Sequence, residues 1–297
     1  MKKLLASALA VFQLSAIPSN IYQSIREQAF CEFSNDMYLK NDYEALYRNF
    51  GLFIDRMDSD PDFAERISKS EQAFLADSEL RNRYCAAPPS YRDPRRNSSK
   101  RHDKVYFQFI SEYYDFVKDK YSDLLVSSCE FEQFMEGMKR LDEVSKKLFG
   151  QALNQLENDI PDIREKIYGD YDKLTVISKI VRYEKSEKWG TTPHFDKSTL
   201  TLIWDSNDDD NDCLLICKDS NNYSMQSLIK PERMYAHQEE STSALLITGL
   251  ALPAIGMDIN PTLHGVAPIK SDYRYAVISF LLAPHVDMSQ MKTDYIE

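Results

Sequence analysis

After Tyr171 the sequence breaks into short apolar runs, and this texture most restricts the fold. The runs are Leu174 to Glu184, Leu200 to Trp204, Cys213 to Lys218, Ala244 to Thr248 and Tyr275 to Leu282. Turn-forming residues separate them: the acidic stretch Asp205 to Asp212, Asp219-Ser220-Asn221-Asn222, and Asn260-Pro261. Runs of this length, punctuated in this way, read as strands of an antiparallel sandwich or barrel. The acidic stretch lacks the central Gly and closing Glu of an EF-hand loop and is read as a solvated hairpin tip.

The first half has a different period. Apolar residues recur every three or four positions in Ile21 to Phe33, Asn41 to Met57, Pro61 to Leu80 and, most clearly, Glu130 to Asn158. Asp60-Pro61 suits a helix start, and Ile160-Pro161 marks a break. The stripe Phe131, Phe134, Met138, Leu141, Leu148, Ala152 and Leu156 is expected to pack against a sheet. Tyr84 to Lys104 reads as a loop, because of Pro88, Pro89 and Pro94. Arg92, Arg95, Arg96, Lys100, Arg101 and Lys104 make it basic, either as a solvated surface or as a flap attracting an anionic substrate. The expectation is an α+β protein: a mostly helical region 1–172 packing on a β-rich core 173–297.

Composition narrows the function. A formal net charge of -11 argues against general nucleic-acid binding and against docking on anionic membranes. With eight glycines and no G-x-G-x-x-G or G-x-x-x-x-G-K pattern, phosphate loops are excluded. The 18 Tyr and 15 Phe predict ring-rich cores or pockets. Cys31, Cys85, Cys129, Cys213 and Cys217 are odd in number and irregular in spacing, and read as reduced thiols of a cytoplasmic protein. Residues 1–16 admit another reading: Met1-Lys2-Lys3 followed by an apolar stretch resembles a secretory signal, which would mean export. No other run is long enough to span a membrane.

The chemistry-bearing residues lie in the β-rich half. In Thr192-Pro193-His194-Phe195-Asp196, an extended backbone would turn His194 and Asp196 to one side and Phe195 to the other. His264, in Leu263-His264-Gly265-Val266, follows Asp196 by 68 residues and several strands. Two imidazoles and one carboxylate, with the remaining positions open, are the facial triad of non-haem Fe(II) oxygenases. Arg274 follows His264 by ten residues and enters an apolar run, where a buried cation needs a partner. His102, His237 and His285 read as surface residues.

These segments together resemble the isopenicillin N synthase-like branch of the 2-oxoglutarate and Fe(II)-dependent dioxygenases. Lys179-Ile180-Val181-Arg182-Tyr183 is similar to that family's Asn-Tyr-Tyr-Pro strand, and His194-Phe195-Asp196 through Leu200-Thr201-Leu202 to its His-Thr-Asp and Leu-Thr-Leu segment. Leu263-His264-Gly265-Val266 resembles its Leu-His-Arg-Val, and the step to Arg274 keeps its spacing. The resemblance implies a C-terminal double-stranded β-helix, or jelly roll. It implies Fe(II) held by His194, Asp196 and His264, with 2-oxoglutarate as cosubstrate held by Arg274 and Tyr183. It further implies an oxidoreductase that uses O2 to hydroxylate, desaturate or cyclise a small organic substrate, acting as a monomer. Three departures stand out: Ala276 replaces the Ser of Arg-x-Ser, Val181 replaces the Asn, and Gly265 replaces the Arg. They leave open an Fe(II) oxidase that does not use 2-oxoglutarate, or a catalytically silent jelly-roll binding protein.

Overall fold

A computed structural model describes residues 20–35, 37–84, 90–93, 104–171, 173–204, 213–219, 222–231, 242–289 and 291–294. The stretch read as a signal, the acidic tip 205–212, Pro88, Pro89, Pro94, His102 and His237 lie outside the described residues.

The β-rich half folds as two antiparallel sheets. β4 (Thr175–Glu184), β6 (Leu200–Trp204), β9 (Thr242–Thr248) and β11 (Tyr273–Leu282) form the centre of one; β5 (Trp189–His194), β7 (Leu214–Cys217), β8 (Leu228–Ile229) and β10 (His264–Pro268) form the other. The sheet orders are β9-β6-β11-β4 and β5-β10-β7-β8, and the chain alternates between the two sheets except at β7 and β8, which are paired neighbours. This is a double-stranded β-helix, as expected, and the five apolar runs supply its strands β4, β6, β7, β9 and β11.

Three strands from the first half extend the larger sheet. β1 (Phe30–Asn35) pairs with β9, and β3 (Lys104–Phe109) pairs with β4 and carries β2 (Ser90–Arg92) on its outer edge. The sequence pattern had predicted a helix through Phe33. Instead α1 (Ile21–Gln28) stops where Ala29 takes a left-handed backbone, φ 61°. Beyond it the burial period changes to two: Cys31 and Phe33 pack with the helices, and Phe30 faces Leu214 and Ile216 inside the barrel. Ala29 and Phe33 happen to satisfy both periods, which explains the misreading. The predicted helix Pro61 to Leu80 is likewise two, α3 (Pro61–Phe74) and α4 (Ser78–Arg83). Asp77 separates them by accepting hydrogen bonds from the Glu79 and Leu80 amides.

The helical layer covers the outer face of the larger sheet. α2 (Lys40–Ser59) and α7 (Cys129–Leu156) pack together, and α7 lies on β4 and β11. α5 (Ser111–Lys120), α6 (Ser122–Val126) and α8 (Ile163–Tyr168) fill its flanks, and α9 (Ala251–Ala254) follows β9. Ser128 caps α7 by accepting from the Phe131 amide, and Glu130 and Glu132 complement its amino end. All seven residues of the predicted stripe are buried. Each contributes on the order of 1–3 kcal/mol through burial, with Ala152 at the low end. The predicted ring-rich core is here: Phe53 stacks on Phe131 and Phe134 and meets Phe63 and Phe107 edge-on.

The same face holds a polar seam. Asp142 on α7 is fully buried, accepts from Lys146 and Ser111, and lies 3.4 Å from Ser178 Oγ on β4. Ser178, Ser145 and the Trp204 indole N–H all meet Ser279 on β11. Ser279 therefore points to the helices, which leaves Arg274, Ala276, Ile278 and Phe280 facing the barrel interior. The strand alternation thus decides which residues of β11 can reach a site between the sheets.

Candidate metal and anion site

A cavity opens between the two sheets, with Ile203, Leu214, Val266, Ile278 and Phe280 on its walls and His194, Asp196, His264, Arg274 and Tyr183 turned into it. All five residues singled out in the sequence therefore come together.

His194 is the last residue of β5, and His264, the first of β10, is its direct cross-strand partner. Their rings lie 4.4 Å apart between centroids. Asp196 is not on a strand: it sits in the link from β5 to β6. The extended-strand reading of His-x-Asp is therefore replaced by a pinned link. The Leu250 amide donates to Asp196 O (2.8 Å), the Ala251 amide to Ser198 O (3.1 Å) and the Gly249 amide to Thr199 O (2.9 Å). A Cβ on Gly249 would come within 2.1 Å of Ser198 O, so only glycine permits this clamp. The chain near the C-terminus also closes on the link, with the Phe195 amide donating to Thr293 O and Asp294 bridging to His194.

The ligand atoms of His194, Asp196 and His264 all lie within 4.8 Å of one another. His194 Nε2 is 3.5 Å from Asp196 Oδ1, and His264 Nε2 is 3.6 Å from Asp196 Oδ2. Both rings are oriented alike. Nδ1 of His194 faces Thr192 O at 2.9 Å and Nδ1 of His264 faces Thr262 O at 3.1 Å. A carbonyl there needs an N–H, so in the neutral rings the proton sits on Nδ1 and the Nε2 lone pairs converge beside Asp196. Thr201 Oγ1 donates to Asp196 Oδ2 at 2.8 Å, with Ser198 Oγ 2.7 Å from Thr201 Oγ1.

Burial raises the Asp196 carboxyl, but His264 and His194 in their cationic form, together with the Thr201 hydroxyl, outweigh it and hold the group well below the usual carboxylate range. A metal ion would take the place of that positive charge beside the neutral rings. Burial lowers His264, with the Asp196 charge opposing. An ionised carboxylate and two neutral imidazoles form a mixed N/O set that suits a divalent first-row metal ion.

Arg274 stands opposite Tyr183 in the β11–β4 register, and its guanidinium lies 5.4 Å from the Tyr183 ring centre. It is 3% exposed, and its Nε and Nη1 have no hydrogen-bond partner among the described residues. Two buried, orphaned N–H donors on a cation are the fit expected for an absent carboxylate. Ala276, two residues on, offers no hydroxyl and packs against Val181 and Tyr183. Tyr183 Oη lies 3.2 Å from Thr191 Oγ1. Gly265, where the resembled family has Arg, lies against β5, and a Cβ there would stand 3.2 Å from Pro193 backbone.

Two further cations line the cavity and were not singled out as site residues. Lys179, on β4, faces inward with Val181 and Tyr183, and its Nζ lies 4.1 Å from the Tyr106 ring centre. Lys104, the first residue of β3, donates to Gly190 O (3.2 Å) and Thr191 Oγ1 (3.0 Å). Burial lowers both ammonium groups to about 8, with Lys104 adding to the effect on Lys179. The signal for Lys179 was its parity with Tyr183; Lys104 was hidden at the end of a basic stretch read as loop. His285 is exposed, as expected.

No family profile matches this sequence, and no curated protein matches it. Solved structures do. JOX2, solved with 2OG, Fe and JA, is 14% identical and aligns over 93% of this chain and 72% of its own, with a TM-score of 0.53. The dioxygenase for auxin oxidation 1 from Arabidopsis thaliana, in its 2-oxoglutarate complex, is 15% identical over 78% of this chain and 80% of its own, with a TM-score of 0.45. The rice dioxygenase for auxin oxidation is 14% identical over 76% and 70%, also at 0.45. The fold and the cluster define a jelly-roll protein with a His-Asp-His set at the mouth of its barrel. The fold is that of the 2-oxoglutarate/Fe(II) dioxygenases.

Among the described residues no helix is long and apolar enough to cross a membrane. Among the described residues Cys31, Cys129, Cys213 and Cys217 form no disulfide.

Proposed function

We propose that this protein is a 2-oxoglutarate- and Fe(II)-dependent dioxygenase acting on a small organic substrate. The observation that carries the reading is the pairing of two features in one cavity: three convergent ligand atoms, and a buried arginine with two unsatisfied donors. His194, Asp196 and His264 would hold the iron, and Arg274 the distal carboxylate of 2-oxoglutarate with Tyr183 beside it. Bound iron and cosubstrate supply the oxidising chemistry, activating O2 at the cost of decarboxylating 2-oxoglutarate to succinate.

The protein's own residues have defined tasks. Thr192 O and Thr262 O fix the imidazole tautomers so that Nε2 of each ring is free to ligate. Thr201 holds one Asp196 oxygen and leaves the other for metal. The apolar walls from Ile203, Leu214, Val266, Ile278 and Phe280 exclude water, which strengthens each electrostatic contact inside. The core 173–297 carries this machinery, and the helical region 1–172 supports the sheet beneath it. A cytoplasmic location and action as a monomer belong to the same reading.

The test is anaerobic loading with Fe(II), then O2 uptake and succinate release measured with and without 2-oxoglutarate. Succinate formed only with both, and lost in Asp196→Ala, is expected. Iron bound without 2-oxoglutarate turnover would favour an oxidase of the same fold. Iron not bound at all would leave a silent binding protein.

A further inference from the structure

The charge inside the barrel exceeds what the proposed chemistry uses. Among the described residues lining the cavity, Asp196 is the one carboxylate, against three cations, Lys104, Lys179 and Arg274. A divalent metal, the Asp196 carboxylate, the Arg274 guanidinium and a dicarboxylate cosubstrate are together neutral. Lys104 and Lys179 remain as two uncompensated positive charges. Neither forms an ion pair among the described residues. Lys104 spends its donors on neutral oxygens, and Lys179 meets only the face of Tyr106.

A lysine on an exposed edge needs no partner, but these line a cavity with largely apolar walls, where an unpaired charge is unfavourable. Each is half-buried and lines the cavity. They also come from the same side. Lys179 is on β4 and Lys104 on the neighbouring β3, an added strand outside the eight that form the barrel. An oxyanion delivered there would lie beside the metal cluster without displacing Arg274's partner.

We propose that the substrate of this enzyme is an organic oxyanion, in the simplest case a carboxylate on an apolar body, and that Lys179 and Lys104 bind its charged group. The inference rests on the dioxygenase reading for the presence of a substrate. The anion site itself stands on the two lysines and the cavity. Lys179 is the primary contact, because its ammonium has no acceptor among the described residues. Lys104 adds charge and is held in place by Gly190 and Thr191.

The experiment uses the full chain with 13C-labelled lysine, loaded anaerobically with Fe(II) and 2-oxoglutarate, and titrated with acetate or with acetamide. Acetate is small enough to enter whatever the natural body is, and acetamide is its uncharged counterpart. Lys104 and Lys179 Cε signals are assigned from their absence in Lys104→Met and Lys179→Met. Saturable shifts of both signals are expected, with acetate binding at least tenfold tighter than acetamide. Lys179→Met should weaken acetate at least tenfold and Lys104→Met by a smaller factor, while the absorbance of the iron–2-oxoglutarate chelate is kept in both. No preference for acetate overturns the proposal. So does loss of the chelate in Lys179→Met, which would make the lysine a cosubstrate ligand. If acetate binds as described but no chelate forms in the unmodified protein, the anion site stands and the dioxygenase reading fails.

Discussion

Replacing Arg274 with Met separates two effects that usually travel together. In the ligand-free protein, Arg274 is a 3% exposed cation with Nε and Nη1 unpartnered. Each orphaned donor costs about 1–3 kcal/mol, and contact with the Tyr183 ring returns about 1 kcal/mol. Met fills similar space without donors, so Arg274→Met should stabilise the ligand-free fold by about 1–5 kcal/mol, read as a higher Tm. In the loaded protein the sign reverses. Two hydrogen bonds from a guanidinium to a carboxylate are worth about 1.5–3 kcal/mol each, so their loss should weaken 2-oxoglutarate by about two to four orders of magnitude. The assay is thermal unfolding with and without Fe(II) and saturating 2-oxoglutarate, which stabilises in proportion to its affinity. The variant should start higher and gain nothing from 2-oxoglutarate. A variant that starts lower and gains as much as the parent would refute both the orphaned-donor reasoning and the cosubstrate assignment.

Other outcomes follow from neighbouring contacts. Ala276→Ser puts a hydroxyl on the barrel face two residues from Arg274, and should tighten 2-oxoglutarate about tenfold, measured by chelate titration. Thr201→Val removes the 2.8 Å donor to Asp196 Oδ2 and should weaken metal binding about 10–100-fold, measured by competition with a chelator. Away from the site, burial pushes the Glu71 carboxyl up from 4.5 to about 7, with the Tyr91 amide and Arg92 opposing. The folded state therefore keeps a proton that the unfolded state has lost, so this group's contribution to stability falls as pH rises from about 4.5 to 7. Glu71→Gln should flatten that slope and raise Tm at pH 8 relative to the parent, with little gain at pH 4. An unchanged slope would count against the raised Glu71.

The strands of the barrel were legible because each is a short apolar run between polar turns, and the long helix because its stripe never breaks. β1 was not, since Ala29 and Phe33 satisfy a helical and a strand period equally. β3 was missed because Lys104 reads as the end of a basic stretch, although Val105, Phe107 and Phe109 alternate with half-buried partners. At the site, residue types and spacing were sufficient to name His194, Asp196 and His264. The clamp that brings Asp196 round was not readable: it depends on the Gly249, Leu250 and Ala251 amides, more than 50 residues away in the chain. The inward direction of Arg274 was equally hidden, because the turn between β10 and β11 resets strand parity. Of the two cavity lysines, Lys104 carries no local signal, and the parity of Lys179 with Tyr183 marks its face only once the direction of Tyr183 is known.

The most direct test of the central claim is an anaerobic absorbance titration. Apo-protein is given one equivalent of Fe(II) and then 2-oxoglutarate. The account predicts a visible charge-transfer band that saturates with one iron per chain, disappears in Asp196→Ala, and needs far more 2-oxoglutarate in Arg274→Met. A protein that binds no iron, or that binds iron and gives no band at saturating 2-oxoglutarate, would contradict it.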